Sequence, residues 1–113
     1  MHELGVTQQV LDIALGRAAE VNAAAVRRIN LVIGDMSSFL NDSVQFYFDF
    51  LSKDSIAQGA LLCFRRIPIT VRCKHCDTSF TPEGESWNCP QCKQSDIEIV
   101  TGREFYLESI EVE

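Results

Sequence analysis

Two segments of the chain place apolar residues at the three-to-four-residue spacing of an amphipathic helix. The first runs from Thr7 to about Ala24, with a stripe made of Val10, Leu11, Ala14, Leu15, Ala18 and Val21. The second begins at about Asn41, and its stripe is Val44, Tyr47, Phe48 and Leu51. Thr7 and Asn41 each carry a side-chain oxygen that can accept a hydrogen bond from a first-turn amide, so both are expected to cap their helices. Phe46 and Phe50 are assigned to the core as well, because no basic residues alternate with these aromatics as a stacking surface would require.

Three further segments alternate apolar and polar residues with the period of a β-strand. Residues 26–33 place Ile29, Leu31 and Ile33 on one face and end before Gly34-Asp35. Residues 60–67 and 105–112 predict a second and a third strand. The pattern therefore predicts an α+β fold in which two helices pack on a three-stranded sheet.

Four of the five cysteines form two Cys-x-x-Cys pairs, Cys73/Cys76 and Cys89/Cys92. Two such pairs can supply four thiolates to one tetrahedral zinc ion. A catalytic zinc usually keeps three protein ligands and an open position, so a shell of four cysteines predicts a structural ion. Redox chemistry of a single pair is the less favoured interpretation. His75 is interpreted as a spacer rather than a ligand, and Cys63 as a small buried side chain in a strand.

The cysteine pairs lie in a segment that interrupts the predicted second and third strands. Prolines and glycines punctuate this segment, and Phe80, Trp87, Ile97 and Ile99 can pack around the two metal-binding turns. We therefore expect a zinc-ribbon domain at residues 67–102, inserted into an α+β domain formed by residues 1–66 and completed by the C-terminal strand at 103–113.

The formal net charge of −6 disfavours general binding to nucleic acid. Residues 64–103 are more balanced, with six Lys/Arg against five Asp/Glu, so a zinc-ribbon module that binds nucleic acid or a protein complex is the alternative interpretation. Charged residues in the first twenty positions exclude an apolar export signal, and no run is long enough to span a membrane. The expected location is the cytoplasm, where paired cysteines favour metal over disulfide.

The first three residues, Met1-His2-Glu3, offer a different kind of metal chemistry. The α-amino group, the amide nitrogen of His2 and its imidazole can close a chelate, and the amide of Glu3 is a further candidate ligand. Such nitrogen sets in one plane favour Ni(II) or Cu(II) over zinc or magnesium. A surface histidine without a function is the competing interpretation.

Taken together, these residues resemble the hydrogenase nickel-insertion metallochaperones of the HypA/HybF family over essentially the whole chain. The resemblance is carried by Met1-His2-Glu3-Leu4, by Gly34-Asp35-Met36-Ser37, by the four paired cysteines and by the closing segment 108–113. It implies transported nickel at His2 with nearby main-chain nitrogens, a contribution of Glu3 to that site through its backbone, and structural zinc at Cys73, Cys76, Cys89 and Cys92.

The same resemblance implies a carrier protein and not an enzyme. Its implied partners are an accessory GTPase and the large subunit of [NiFe]-hydrogenase, and because some relatives also serve urease maturation, urease accessory proteins form a further class of partner. Neither nucleic acid nor a membrane is expected to bind. A zinc deaminase is excluded because its signature needs His-x-Glu, whereas His2 and Glu3 are adjacent here.

Overall fold

The computed structural model describes residues 3–113 and confirms the expected α+β class. In chain order the elements are α1 (Glu3–Glu20), β1 (Val26–Gly34), α2 (Asn41–Leu51), β2 (Leu61–Ile67), β3 (Thr70–Cys73), β4 (Ser79–Phe80), β5 (Ile97–Thr101) and β6 (Phe105–Val112). The strands form two separate three-stranded sheets, ordered β2-β1-β6 and β4-β3-β5. Neither of the two helices in this part of the chain has the length and apolar character needed to cross a membrane.

Helix α1 begins four residues earlier than its apolar stripe indicated, so the expectation that Thr7 caps it is wrong. Thr7 is buried inside the helix, and its Oγ1 donates a hydrogen bond to the carbonyl oxygen of Glu3 at 2.6 Å. The helix ends at Glu20 rather than near residue 24 because Asn22 adopts the left-handed conformation, with φ 53°. Two hydrogen bonds close this end, from the Asn22 amide to Ala19 and from the Ala23 amide to Ala18, which is the Schellman pattern.

Helix α2 begins at the expected residue but is capped differently. Leu40 occupies the N-cap position with extended backbone, φ −95° and ψ 134°, and no side chain caps the helix there. Val44 and Phe48 are fully buried, as the stripe predicted. The assignment of Phe46 and Phe50 to the core is wrong: they are 70% and 64% exposed, because helical spacing places them on the face opposite Val44 and Phe48.

The sheet β2-β1-β6 supplies the other wall of the main core. The Ala25 carbonyl accepts from the Glu113 amide, and the Ala24 amide donates back to the Glu113 carbonyl, so β1 and β6 run antiparallel. The Asp35 amide, just past the end of β1, donates to Ile67 at the end of β2, so these two strands run in the same direction, with α2 between them in the chain. The core comprises Val10, Leu11, Ala14, Ala18, Val26, Ile29, Leu31, Val44, Phe48, Ala57, Ala60, Leu62 and Leu107.

The sheet β4-β3-β5 is smaller and has little apolar support. Both outer strands pair antiparallel with β3, and Val71 lies opposite Phe80 on one side and Ile99 on the other. Between residues 66 and 104 the buried apolar side chains are Val71, Cys73 and Cys89. Two of the three are cysteines, so a bound metal has to replace much of the missing core.

The chain divides into two compact units. The helical unit comprises residues 3–32, 38–65 and 105–113, and the ribbon unit comprises residues 33–37 and 66–104. Segment 33–37 joins the ribbon unit through main-chain contacts: the Gly34 amide donates to Glu104 at 2.7 Å and the Met36 amide to Gly102 at 2.8 Å. That the sequence-based boundaries at 66/67 and 102/103 delimit independently folding domains stays a prediction.

Candidate metal centre

The four paired cysteines converge in the ribbon unit. All four Sγ atoms lie within 4.8 Å of one another, and the Cys73–Cys92 and Cys76–Cys89 sulfur pairs are each 3.5 Å apart. A regular tetrahedron of sulfurs around zinc, with bonds of about 2.3 Å, has edges of roughly 3.8 Å. The cluster therefore fits one zinc ion held by four thiolates.

Two matching turns aim the sulfurs at one point. In the first turn, the Asp77 amide donates to the Cys73 carbonyl at 2.9 Å, and the Cys73 amide donates to Thr78 at 2.9 Å. In the second turn, the Lys93 amide donates to the Cys89 carbonyl at 2.9 Å, and the Cys89 amide donates to Gln94 at 2.8 Å. The residue after each pair is left-handed, with φ 61° at Asp77 and φ 65° at Lys93. This repeat of main-chain geometry explains why a two-residue spacer brings both sulfurs of a pair to the same side.

The surroundings of the sulfurs shift the pKa values of the Cys76 and Cys92 thiols in opposite directions. The hydroxyl and the amide of Thr78 hydrogen-bond to Cys76 and lower the pKa of that thiol to about 6. The Gln94 amide acts on Cys92 in the same sense, but burial and the neighbouring sulfurs outweigh it and raise the pKa of the Cys92 thiol to about 12. Without metal, closely spaced thiols cannot all ionise, whereas zinc stabilises them together as thiolates.

His75 lies beside the cluster but outside it. Its side chain is exposed, and its Nε2 is 3.9 Å from Oδ2 of Asp96. The ligating group found among the described residues contains the four cysteines and no histidine. This placement agrees with the interpretation of His75 as a spacer. Cys63 also lies outside the group, and its side chain in β2 is partly buried, whereas a buried side chain was expected.

The basic residues around the cysteines are largely engaged with carboxylates. Arg72 on β3 bonds to both Glu98 and Asp77. Lys74 lies 3.7 Å from Asp96. Such pairing reduces the positive field that nucleic acid would need, which weakens the alternative of a nucleic-acid module.

The second metal candidate, His2, lies outside the described residues, whereas Glu3 is the first residue of α1. Oε2 of Glu3 accepts a hydrogen bond from the Leu40 amide at 3.3 Å. Sequence reasoning left the role of this side chain open, because nothing in the local pattern near Glu3 indicates that residue 40 lies beside it.

The fold and the cysteine cluster define a class of small α+β proteins that carry a zinc-ribbon-like metal site. The model of the family described as "Hydrogenase/urease nickel incorporation, metallochaperone, hypA" matches residues 1–112, and the chain belongs to this HypA family. The resemblance found in the sequence is thereby confirmed.

Relatives match over nearly their full length. A hydrogenase maturation factor HypA from Dehalococcoides mccartyi strain 195 is 43% identical over 113 residues, covering all of this chain and 95% of the relative. A second one, from Caldanaerobacter subterraneus subsp. tengcongensis, is 37% identical over 114 residues, with both chains covered completely.

Solved structures support the fold. The solution structure of the Ni metallochaperone HypA from Helicobacter pylori matches with a TM-score of 0.67 at 24% identity, covering 99% of this chain and 97% of that one. Another solution structure of a HypA protein has a TM-score of 0.75 at 24% identity, covering 99% and 96%. At this identity the likeness establishes the shared fold.

Proposed function

We propose that the protein carries Ni(II) at its amino terminus and delivers it for the maturation of [NiFe]-hydrogenase. Nickel binds through His2 and nearby main-chain nitrogens, and the four cysteines hold a structural zinc ion. The proposal rests on membership of the HypA family and on the placement of Glu3 in the first turn of α1.

The start of α1 matters because the first four amides of a helix have no acceptor within the helix. The amide of Glu3 is one of these four. A metal that displaces its proton would therefore break no helical hydrogen bond. His2 stands one residue earlier in the sequence, so its amide is a second main-chain nitrogen that can serve as a ligand beside the imidazole.

These ligands suit a transported ion. Nitrogen ligands in a plane favour Ni(II), and a short terminal segment can exchange them one at a time when an acceptor offers its own. Binding requires a neutral imidazole and deprotonated amides, so capture of nickel releases protons and weakens in acid.

The cysteine cluster takes the other metal. Cys73, Cys76, Cys89 and Cys92 would hold zinc in a closed shell, and the ion would supply folding free energy to the ribbon unit. Zinc in such a shell has no position left for a substrate. The cluster is therefore proposed as a structural element and not as a catalytic one, in a protein that is not an enzyme.

We further propose an accessory GTPase and the hydrogenase large subunit as partners in the cytoplasm, with urease maturation as a second destination of the nickel. The family description names both hydrogenase and urease, which supports including both. Pull-down of the two enzymes' accessory proteins with nickel-loaded protein would separate these destinations.

The nickel site is tested by titrating Ni(II) against a chromophoric chelator. We compare the wild-type protein, His2→Ala, a variant with one glycine added before Met1, and His75→Ala as the matched histidine control. Wild type and His75→Ala should bind one labile nickel per chain. His2→Ala and the extended variant should lose it, and all four should retain one zinc.

Undiminished nickel binding in both His2→Ala and the extended variant would overturn the terminal site. Loss of nickel in His75→Ala, with zinc retained, would instead move the site to the ribbon unit. Far-UV circular dichroism on each variant checks that the two helices remain folded.

A further inference from the structure

Glu3 contacts a distant part of the helical unit through its side chain. Its Oε2 accepts a hydrogen bond from the Leu40 amide at 3.3 Å, and Leu40 is the N-cap residue of α2. The contact joins residues that are 37 positions apart in the chain. It therefore ties the first residue of α1 to the first turn of α2.

Several observations indicate that this contact is favourable. Leu40, the N-cap residue, has no side chain that could cap α2, so the carboxylate of Glu3 adds a second negative group, besides Asp42 of the first turn, at the positive end of that helix. A carboxylate acceptor makes the hydrogen bond stronger than a neutral one. The main chain of Glu3 is held as well, because its carbonyl accepts from Oγ1 of the buried Thr7 at 2.6 Å.

These contacts hold residue 3 at a place where helices commonly fray. Residue 3 is also the point from which the chain continues directly to His2. Holding the main chain there reduces the conformational entropy that is lost when the terminal nitrogens gather around a metal.

We propose that Glu3 is a positioning residue of the nickel site, and that its carboxylate acts by binding the Leu40 amide rather than the metal. The inference rests on the proposed function, since it concerns the same terminal site. It assigns the side chain of Glu3 a role that is separate from any role of its main-chain nitrogen.

The test compares nickel affinity, measured by competition with a chelator, and the visible absorption of bound nickel. Glu3→Ala removes the acceptor, whereas Glu3→Gln keeps an oxygen that can accept the same hydrogen bond. Leu40→Pro removes the amide donor but keeps the carbonyl that accepts from Val44, and Leu40→Ala keeps both groups. Asp42→Asn, in the first turn of α2, controls for loss of negative charge at that helix end.

Glu3→Ala should weaken nickel binding by about threefold to tenfold, the effect expected of losing one solvent-exposed hydrogen bond. Glu3→Gln should bind nickel more tightly than Glu3→Ala but more weakly than wild type, because the amide oxygen keeps the acceptor and loses the charge. Leu40→Pro should match Glu3→Ala, and the double variant should be no weaker than either. Leu40→Ala and Asp42→Asn should resemble wild type, and the nickel absorption bands should keep their positions throughout.

Two results would overturn the inference. Wild-type affinity in Glu3→Ala would show that the contact does not support the site. Equal weakening in Glu3→Gln and Glu3→Ala, with shifted nickel absorption, would show that the carboxylate is itself a ligand. If Leu40→Pro fails to fold, as judged by circular dichroism and zinc content, the comparison of Glu3→Gln with Glu3→Ala still tests the inference. Retention of nickel by His2→Ala would refute the proposed function itself and is measured separately.

Discussion

Removal of zinc is expected to unfold the ribbon unit while α1 and α2 remain folded. The reason is the distribution of apolar burial. The helical unit has a core of thirteen buried residues, whereas between residues 66 and 104 the only buried apolar side chain besides two cysteines is Val71. Metal ligation therefore has to supply most of the free energy that orders the ribbon unit.

The magnitudes support this expectation. Full burial of one valine contributes about 1.5–3 kcal/mol, and ordering each residue of backbone costs about 1–2 kcal/mol. Val71, together with Ile33 of segment 33–37, thus offsets the ordering of only a few residues of the ribbon unit. Structural zinc in small peptides contributes roughly 10–16 kcal/mol near neutral pH, so its loss exceeds anything that the apolar contacts of the ribbon unit can replace.

The assay uses two signals that report on different units. Trp87 is the only tryptophan of the chain and lies partly buried in the ribbon unit, so its fluorescence reports on that unit. Both helices belong to the helical unit, so far-UV circular dichroism reports on α1 and α2. A strong chelator, or Cys73→Ser, should shift Trp87 emission to longer wavelength and leave most of the helical signal.

The matched control is Cys63→Ser, which alters the one cysteine outside the sulfur cluster and should keep both zinc and the native Trp87 emission. Unchanged Trp87 emission after verified zinc loss would refute the reasoning about the core. Loss of the helical signal in step with the Trp87 shift would show that the two units unfold as one.

Two other predictions concern packing and acidity. A Cβ at Gly34 would lie 2.0 Å from the carbonyl oxygen of Gly102, so Gly34→Ala should lower the free energy of unfolding, measured by urea denaturation, by about 3 kcal/mol or more. Gly16 lies in an open part of α1, so Gly16→Ala should raise the free energy of unfolding by about 0.5–1 kcal/mol. Equal stability of the two variants would contradict this prediction. The zinc-free ribbon unit is expected to be unfolded, and a thiol in an unfolded chain has a pKa of about 8.5, so zinc binding at pH 7.5, followed with a weakly buffered indicator, should release more than three protons. Release of three or fewer would show that the zinc-free cluster stays folded, with the pKa of the Cys76 thiol near 6.

Much of the fold could be predicted from local patterns. The alternation in residues 105–112 predicted β6 with its observed bounds, because a strand with one face on the core must alternate. The spacing within each cysteine pair predicted the convergence of four sulfurs, because a two-residue spacer permits only a tight turn. Both successes depend on short-range geometry that the sequence states directly.

The errors had two sources: a contact between residues far apart in the chain, and an assignment by residue type instead of helical position. The start of α1 lies at Glu3 rather than Thr7 because the first turn is held by contacts to Thr7 and Leu40, the second of which is invisible in the local pattern. Phe46 and Phe50 were assigned to the core because aromatic residues are usually buried, although their helical positions place them opposite Phe48. A stricter use of the 3.6-residue period would have separated the two faces.

The approach of segment 33–37 to the ribbon unit could not be predicted either. Gly34 lies so close to Gly102 that a Cβ on Gly34 would be 2.0 Å from the Gly102 carbonyl oxygen. Neither the spacing nor the composition around either glycine indicates this partner. A glycine at the end of a strand indicates only that a side chain would not fit there. Identifying what it packs against requires the three-dimensional structure.

Under the proposed function, the two metal sites differ in how readily they release a bound ion, which is the property that transport requires. The thiolates of the cysteine cluster form a closed shell in which Cys73 and Cys89 are fully buried and Cys76 is exposed, so a bound zinc ion has no free position for an incoming ligand. A site made from His2 and main-chain nitrogens presents harder ligands and an open edge, which suits Ni(II) and permits stepwise exchange. Nitrogen ligands in one plane favour Ni(II), whereas four thiolates in a tetrahedron suit Zn(II), so ligand type and geometry direct each ion to its own site. The difference between labile and permanent metal then comes from ligand exchange: the closed thiolate shell offers no free position, while the terminal nitrogens can release nickel to an acceptor without unfolding the ribbon unit.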